Sequence, residues 1–249
     1  MSPTYVYGVV PADAVLPEGL KGLGPSGKVA LVKDTRVAAV VGDVPVDRPL
    51  GTRDDLITHE NVVDTIAGTT TILPMRFPAV VEEEGVVDEL LGPNEQYFLE
   101  VLEDLEGRAQ YTLKGRYEQD VVLREVLEGD DQLRSLQERI RSVPADASYY
   151  DRVKLGELIV AELEERREVD AAALYERLEG AAVAVAPHAP TSPEDVIDAA
   201  FLVDRDKVAA FEEAVEAVGE AAAGRIRFRL LGPLAPYDFV SAEATETGS

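Results

Sequence analysis

Cysteine is missing from all 249 residues, and with it go disulfides, thiol catalysis and zinc–thiolate sites. The absence fits a reducing cytosol. Histidine occurs only at His59 and His188. That supplies neither the ligand set of a zinc site nor a Ser-His-Asp pattern, since no Ser stands in a nucleophile elbow. Basic residues are scarce: 24 Lys and Arg face 48 Asp and Glu, a formal charge of −24. Such a chain repels phosphate backbones, so neither nucleic acid nor an anionic lipid membrane is expected as a partner. The imbalance reads either as the composition of a salt-adapted or high-GC proteome or as a partner-specific acidic face. No apolar run approaches the roughly 20 residues of a membrane span. Met1 to Tyr7 holds no basic stretch ahead of an apolar core, so no signal peptide is expected there.

What is present is globular in character, with 46% hydrophobic and 29% charged residues. The length suits one large domain or two of ordinary size. Tyr5 to Val10 is β-branched and aromatic, stops at Pro11, and predicts a strand; 11–27 is a Gly- and Pro-rich loop. Lys28–Lys33 and Arg36–Val41 flank Asp34-Thr35 and predict a hairpin. Thr52 to Ile66 changes to helical spacing, with Thr52 and Asp55 placed for a capping pair and Gly68 for the stop. Thr69 to Phe77 returns to strand character, interrupted by Pro74. Glu82–Leu91 and Asn94–Leu105 read as two helices separated by Gly92-Pro93.

Arg108 to Tyr117 alternates as a strand. A helical region follows from about Asp120 to Glu179, broken at Gly129 and Pro144; its last helix places Val153, Val160 and Leu163 on one face. Ala181–Ala186 and Asp195–Val203 are strands. Asp204 is expected to cap a helix carrying Val208, Phe211, Val215 and Val218, and Gly224 precedes a last strand, Arg225–Leu231. The order from residue 107 on is β-α-β-β-α-β, the ferredoxin-like pattern. The expected fold is therefore α+β in two domains: 1–106 with a smaller antiparallel sheet and helices, and 107–231 ferredoxin-like. A short tail, 232–249, follows.

Chemical motifs do not survive their own requirements. Gly22-Leu23-Gly24-Pro25-Ser26-Gly27-Lys28 satisfies GxGxxG and nearly a P-loop. Both motifs must open a helix, whereas Val29-Ala30-Leu31-Val32 reads as a strand, and Pro25 removes one cradling amide. His59-Glu60-Asn61-Val62-Val63 begins like HExxH but lacks the second His, and a lone helical His is more simply a packing or capping residue. Glu82-Glu83-Glu84 and Glu162, Glu164 and Glu165 are solvated helix faces. Arg76, inside Leu73-Pro74-Met75-Arg76-Phe77, should find a carboxylate for a structural ion pair. In Gly232-Pro233-Leu234-Ala235-Pro236-Tyr237-Asp238-Phe239-Val240 the prolines forbid a regular helix or central strand. Tyr237 and Phe239 are too apolar for a free end and should dock, with the tail folding back over its own chain.

Several of these segments together resemble the gas vesicle protein F/L family. Tyr5-Val6-Tyr7-Gly8-Val9-Val10 is similar to its opening strand. His59-Glu60-Asn61-Val62-Val63 followed by Leu73-Pro74-Met75-Arg76-Phe77 is similar to a "HE.VV … LPxRF" signature. The segment from Leu105 to Lys114 resembles a "G..E" stretch leading into a strand, with Gln110 where an acidic residue is expected. The close resembles "GPWPPYSFV", with Leu234 in place of Trp and Ala235 in place of Pro. The resemblance spans about residues 4–240. It implies a non-enzymatic accessory or minor structural protein, cytoplasmic or on the gas vesicle, without cofactor or metal. It implies association with the small apolar shell protein GvpA and other accessory Gvp proteins, and two α+β domains. His59, Arg76, Phe77, Tyr237 and Phe239 are the candidate structural or partner-contact residues. A small-molecule enzyme or a regulatory sensor on the same fold is the competing expectation, resting on fold analogy.

Overall fold

The computed structural model describes residues 3–144 and 147–240. Contacts along the chain divide it into two compact units. One gathers the chain up to Tyr111, Leu202–Asp206 and the segment from Gly232 on; the other gathers Thr112–Phe201 and Lys207–Leu231.

The first unit is built on strands β1 (Pro3–Pro11), β2 (Val29–Lys33) and β3 (Val37–Asp43), followed by helix α1 (Arg53–Ala67) and the short strands β4 (Leu73–Pro74) and β5 (Val80–Glu82). The sheet order is β2-β3-β1-β4, with β5 also paired to β1. β1 and β3 are antiparallel, with a one-residue register slip between Val6 and Gly8. Both strands are buried almost without alternation, as expected where both faces of a sheet are covered. Tyr5, Tyr7, Val10, Ala38 and Val40 join Val62, Val63, Ile66 and Ala67 of α1 in one core. Each large side chain taken from water there contributes about 1.5–3 kcal/mol.

The β2–β3 hairpin forms as expected, but its turn is one residue later. The Asp34 N–H donates to the Val37 carbonyl at 2.9 Å, leaving Thr35 and Arg36 at the centre. The expected capping pair of α1 is present: the Asp55 N–H donates to Thr52 Oγ1 at 3.2 Å and the Thr52 N–H to Asp55 Oδ2 at 3.0 Å.

The strand expected over Thr69–Phe77 is a correction. It pairs only at Leu73–Pro74, loops out over Arg76, Phe77 and Pro78, and resumes as β5 on the same strand β1. The two expected helices on either side of Gly92-Pro93 are also one continuous element. A π-helical turn, Val86–Leu91, runs directly into α2 (Gly92–Leu105). The Gly92 N–H bonds back five residues to the Val87 carbonyl. A widened turn ahead of Pro93 spares the clash that a proline ring makes with a regular preceding turn.

The other unit contains β6 (Arg108–Tyr117), α3 (Gln119–Gly129), α4 (Asp131–Ser142), α5 (Tyr149–Leu178), β7 (Ala184–Pro187), β8 (Asp195–Asp204), α6 (Val208–Ala221) and β9 (Ile226–Leu234), the strand termini passing into the first unit. Its sheet order is β7-β8-β6-β9. The central pairs are antiparallel: Tyr117 N–H donates to the Glu194 carbonyl while Lys114 meets Asp198, and Glu118 N–H donates to the Arg225 carbonyl. Numbered within the unit the order is 2-3-1-4, in keeping with the expected ferredoxin-like arrangement. Phe201 of β8 packs on Phe211 of α6, ring centroids 5.3 Å apart. Tyr117 carries the Arg225 guanidinium over its ring at 5.3 Å and bonds Asp170 of α5.

Three expected details differ in this region. The strand from Ala181 begins at Ala184, because Glu179–Ala181 is a single 3₁₀ turn. The helix expected directly after Asp204 is preceded by a 3₁₀ turn over Arg205–Lys207, and Asp204 itself ends β8 and pairs with Arg108 at 3.4 Å. The last strand runs on through Pro233 to Leu234, which an edge strand tolerates.

Candidate functional site

A buried polar cluster of the first unit centres on His59. Its position on α1 follows from the helix cap. Asp55, one turn earlier, is buried, accepts from the Gly51 and Thr52 amides, and takes both Arg48 guanidinium nitrogens at 2.7 and 2.5 Å. Those donors hold its carboxyl well below the usual carboxylate range. With the first turn fixed, His59 points onto β1.

Tyr5 Oη lies 2.8 Å from His59 Nδ1, and His59 Nε2 lies 3.0 Å from the Met75 carbonyl and 2.8 Å from Tyr237 Oη. A carbonyl has no proton to give, so Nε2 carries it and shares it between Met75 and the Tyr237 oxygen. Nδ1 then accepts from Tyr5. Tyr7 stacks on the imidazole at 5.8 Å and 17°, and Phe77 meets it edge-on at 5.8 Å. His59 is 1% exposed, and burial pushes its pKa down to about 4, so it is neutral at pH 7. Burial pushes the Tyr5, Tyr7 and Tyr237 hydroxyls up, so they stay protonated. The cluster is uncharged and hydrogen-bonded, an arrangement for holding segments together.

The C-terminal close docks here. Ala235 is fully buried in the core, and its N–H donates to Asp64 Oδ1 at 2.8 Å. Tyr237–Phe239 forms a single 3₁₀ turn. Gln110 grips the next residue twice, its Nε2 donating to Asp238 Oδ2 at 2.6 Å and its Oε1 accepting the Asp238 N–H at 3.1 Å. Gly232 has φ +150°, and a Cβ there would lie 2.5 Å from Tyr111 Cδ1, so only glycine lets the chain turn this close to β6. Arg205 bonds the Ala67 carbonyl and lies 3.4 Å from the Gly68 carbonyl, covering the free carbonyls at the end of α1.

The structure thus brings together His59, Phe77 and Tyr237. Phe239 is half-buried in the same turn, and Val240 is buried. Arg76 is a correction: it is exposed, and it has no ion pair to another described residue. The loop it occupies is nonetheless fixed at both ends, since the Met75 N–H donates to the Tyr7 carbonyl at 3.0 Å and the Val6 N–H to the Ala79 carbonyl at 2.9 Å. Sequence reasoning missed Tyr5, Tyr7, Asp64 and Gln110 as members. The tyrosines looked like strand formers, and only the pairing of β1 beside α1 reveals their role.

His188 lies in the other unit, its Nδ1 2.9 Å from Asp198 Oδ1. Gly22-to-Lys28 is a loop closed by a Gly22 N–H to Gly27 carbonyl bond and followed by β2 rather than a helix. Among the described residues no group of three or more His, Cys, Asp and Glu side chains is placed to hold a metal ion, and no helix is long and apolar enough to cross a membrane.

Comparison with known proteins places this geometry. The profile described as gas vesicle synthesis protein GvpL/GvpF matches residues 3–241. Gas vesicle protein F of Streptomyces sp. (strain CB03234) is 33% identical over 240 residues, covering 95% of this chain and 99% of that protein. Gas vesicle protein L of the same organism is 30% identical over 257 residues, covering 94% and 91%. The crystal structure of GvpF from Anabaena sp. PCC7120 superposes with a TM-score of 0.81 at 26% identity over 97% of this chain and 99% of that one. That of Microcystis aeruginosa gives 0.74 at 26% identity over 96% and 99%. The chain belongs to the GvpL/GvpF family of gas vesicle proteins.

Proposed function

We propose that this protein is a non-catalytic accessory or minor structural component of gas vesicles that binds the shell protein GvpA in the cytoplasm during assembly. The observation that carries this reading is the family match through residues 3–241, which includes both compact units. The physical properties support it. A small shell protein with an apolar face aggregates unless something soluble covers that face. A partner with charge −24 keeps such a complex dispersed.

The loop Arg76–Pro78 is the contact we assign to it. Both ends of the loop are pinned to β1, so its geometry is set before binding, which lowers the ordering cost of an interface. Arg76 offers an exposed guanidinium and Phe77 a half-buried ring beside it, residue types that often dominate binding energy when a partner covers them. The close around Tyr237 holds the fold beneath that loop.

Co-purification tests the reading. Tagged protein co-expressed with GvpA should retain it at both low and high salt, because apolar contact is not screened. Failure to retain GvpA under either condition, with the protein folded, would count against binding.

A further inference from the structure

One face in the first half of helix α5 is exposed, while Arg139 of α4 pairs with Asp151 on another face of the same half. Along α5, Tyr149 is 64% exposed, Val153 45% and Val160 51%, while its buried residues, Leu174 and Leu178, stand at the far end. Tyr149, Val153, Gly156, Val160 and Leu163 follow at spacings of four, three, four and three, the repeat of a coiled-coil seam. Leu163 is half-buried at the edge of this stripe. Gly156 is exposed in mid-helix, where glycine weakens a helix relative to alanine. A Cβ there would meet nothing within 4 Å, so no contact inside the chain asks for glycine.

We propose that this face of α5 pairs with the same face of a second copy, the two helices parallel and in register. The seam has β-branched Val153 and Val160 at one of its two positions and Tyr149, Gly156 and Leu163 at the other; valine at the first and leucine at the second is the pairing that favours two parallel strands. Charge agrees with that direction. In the parallel pair Arg152 of one copy faces Glu157 of the other, and the symmetry supplies the contact twice. Neither residue has an ion pair to another described residue of its own chain. Gly156 meets Gly156 and lets the backbones approach at the centre. The seam from Tyr149 to Leu163 is only about 21 Å long at 1.5 Å per residue. It covers less than the roughly 800 Å² per partner of a standard interface, so the dimer is weak, with a dissociation constant of roughly 10–100 μM.

Sedimentation equilibrium of the full chain between about 5 and 500 μM tests this. The weight-average mass should rise from the 26.9 kDa of one chain toward twice that value. Val153→Glu and Val160→Glu should each raise the dissociation constant at least about tenfold at unchanged helical circular dichroism. Arg152→Glu should weaken the dimer, and adding Glu157→Arg should restore it. Because the chain has no cysteine, Val153→Cys should form a disulfide dimer under mild oxidation only if the helices are parallel and in register. A chain that stays monomeric throughout overturns the proposal, as does a dimer that the valine variants leave intact or that Val153→Cys does not cross-link. A monomer whose valine variants lose GvpA assigns the face to that partner instead, and equally overturns it.

Discussion

The Tyr237 hydroxyl lies 2.8 Å from His59 Nε2, although the two residues stand 178 positions apart in the chain. One neutral imidazole thereby joins α1, β1, the loop after β4 and the C-terminal close through Tyr237, Tyr5 and the Met75 carbonyl. The arrangement makes the stability of the first unit depend on one buried, uncharged side chain.

Replacing His59 with Leu leaves the Tyr5 hydroxyl proton without its acceptor, and the Met75 carbonyl and Tyr237 oxygen without the donor they share. At about 1–3 kcal/mol for each orphaned group, a loss of about 3–5 kcal/mol is expected. Urea unfolding should show the midpoint fall, with His59→Gln falling less.

The same residue should make stability fall on acidification. His59 titrates at about 4 in the folded chain, below its ordinary 6.5. Between those values the unfolded chain binds a proton that the folded chain refuses, so the stabilisation from neutral His59 is complete above about pH 6.5 and is lost as pH falls toward 4. Two and a half pH units correspond to about 3 kcal/mol. Asp64 works in the opposite sense, because burial raises its pKa, and so partly offsets the slope in the wild type. Comparison with His59→Gln isolates the histidine: the variant should be flatter with pH between 6.5 and 4. Parallel profiles would contradict a neutral buried imidazole.

Removal of the close should cost more than removal of one hydroxyl. Tyr237→Phe loses a hydrogen bond, about 1 kcal/mol. Truncation after Leu234 removes buried Ala235 and Val240 and strips the acceptor Asp64 of its donor. Thermal unfolding should place the truncated chain well below Tyr237→Phe, and amide exchange in α1 should speed up.

Gln110 holds Asp238 as both donor and acceptor. Gln110→Glu would set one carboxylate against another and remove the donor. A loss of about 1–3 kcal/mol is expected at pH 7, shrinking as the pH approaches 4 and one carboxyl is protonated. A variant as stable as wild type at pH 7 would mean that the neighbouring groups absorb the charge.

Much of the fold was legible because it rests on local rules. The strand Tyr5–Val10, the hairpin, the Thr52–Asp55 cap and the β-α-β-β-α-β order all follow from periodicity and turn chemistry. The errors fell where distant pairing overrides local preference. Thr69–Phe77 has strand composition throughout, yet only Leu73–Pro74 meets β1 before the chain loops out, and nothing local marks that point. Pro93 reads as a break, and only the π turn before it keeps the helix continuous. For the site, the docked close was legible from two prolines beside Tyr237 and Phe239. Its partners were not, because Tyr5 and Gln110 carry no signal until the strands are paired. Arg76 was expected to be ion-paired because its neighbours are apolar, but the loop turns its side chain outward.

The assignment of the Arg76–Pro78 loop as the shell-protein contact is the most specific claim of the proposed function. GvpA capture by Arg76→Glu, set beside its melting temperature, tests it most directly. The exposed position predicts unchanged stability, within about 0.5 kcal/mol. The account expects GvpA retention to fall at least about tenfold in that stable variant, the scale of one dominant contact residue. Retention equal to wild type at equal stability would contradict it.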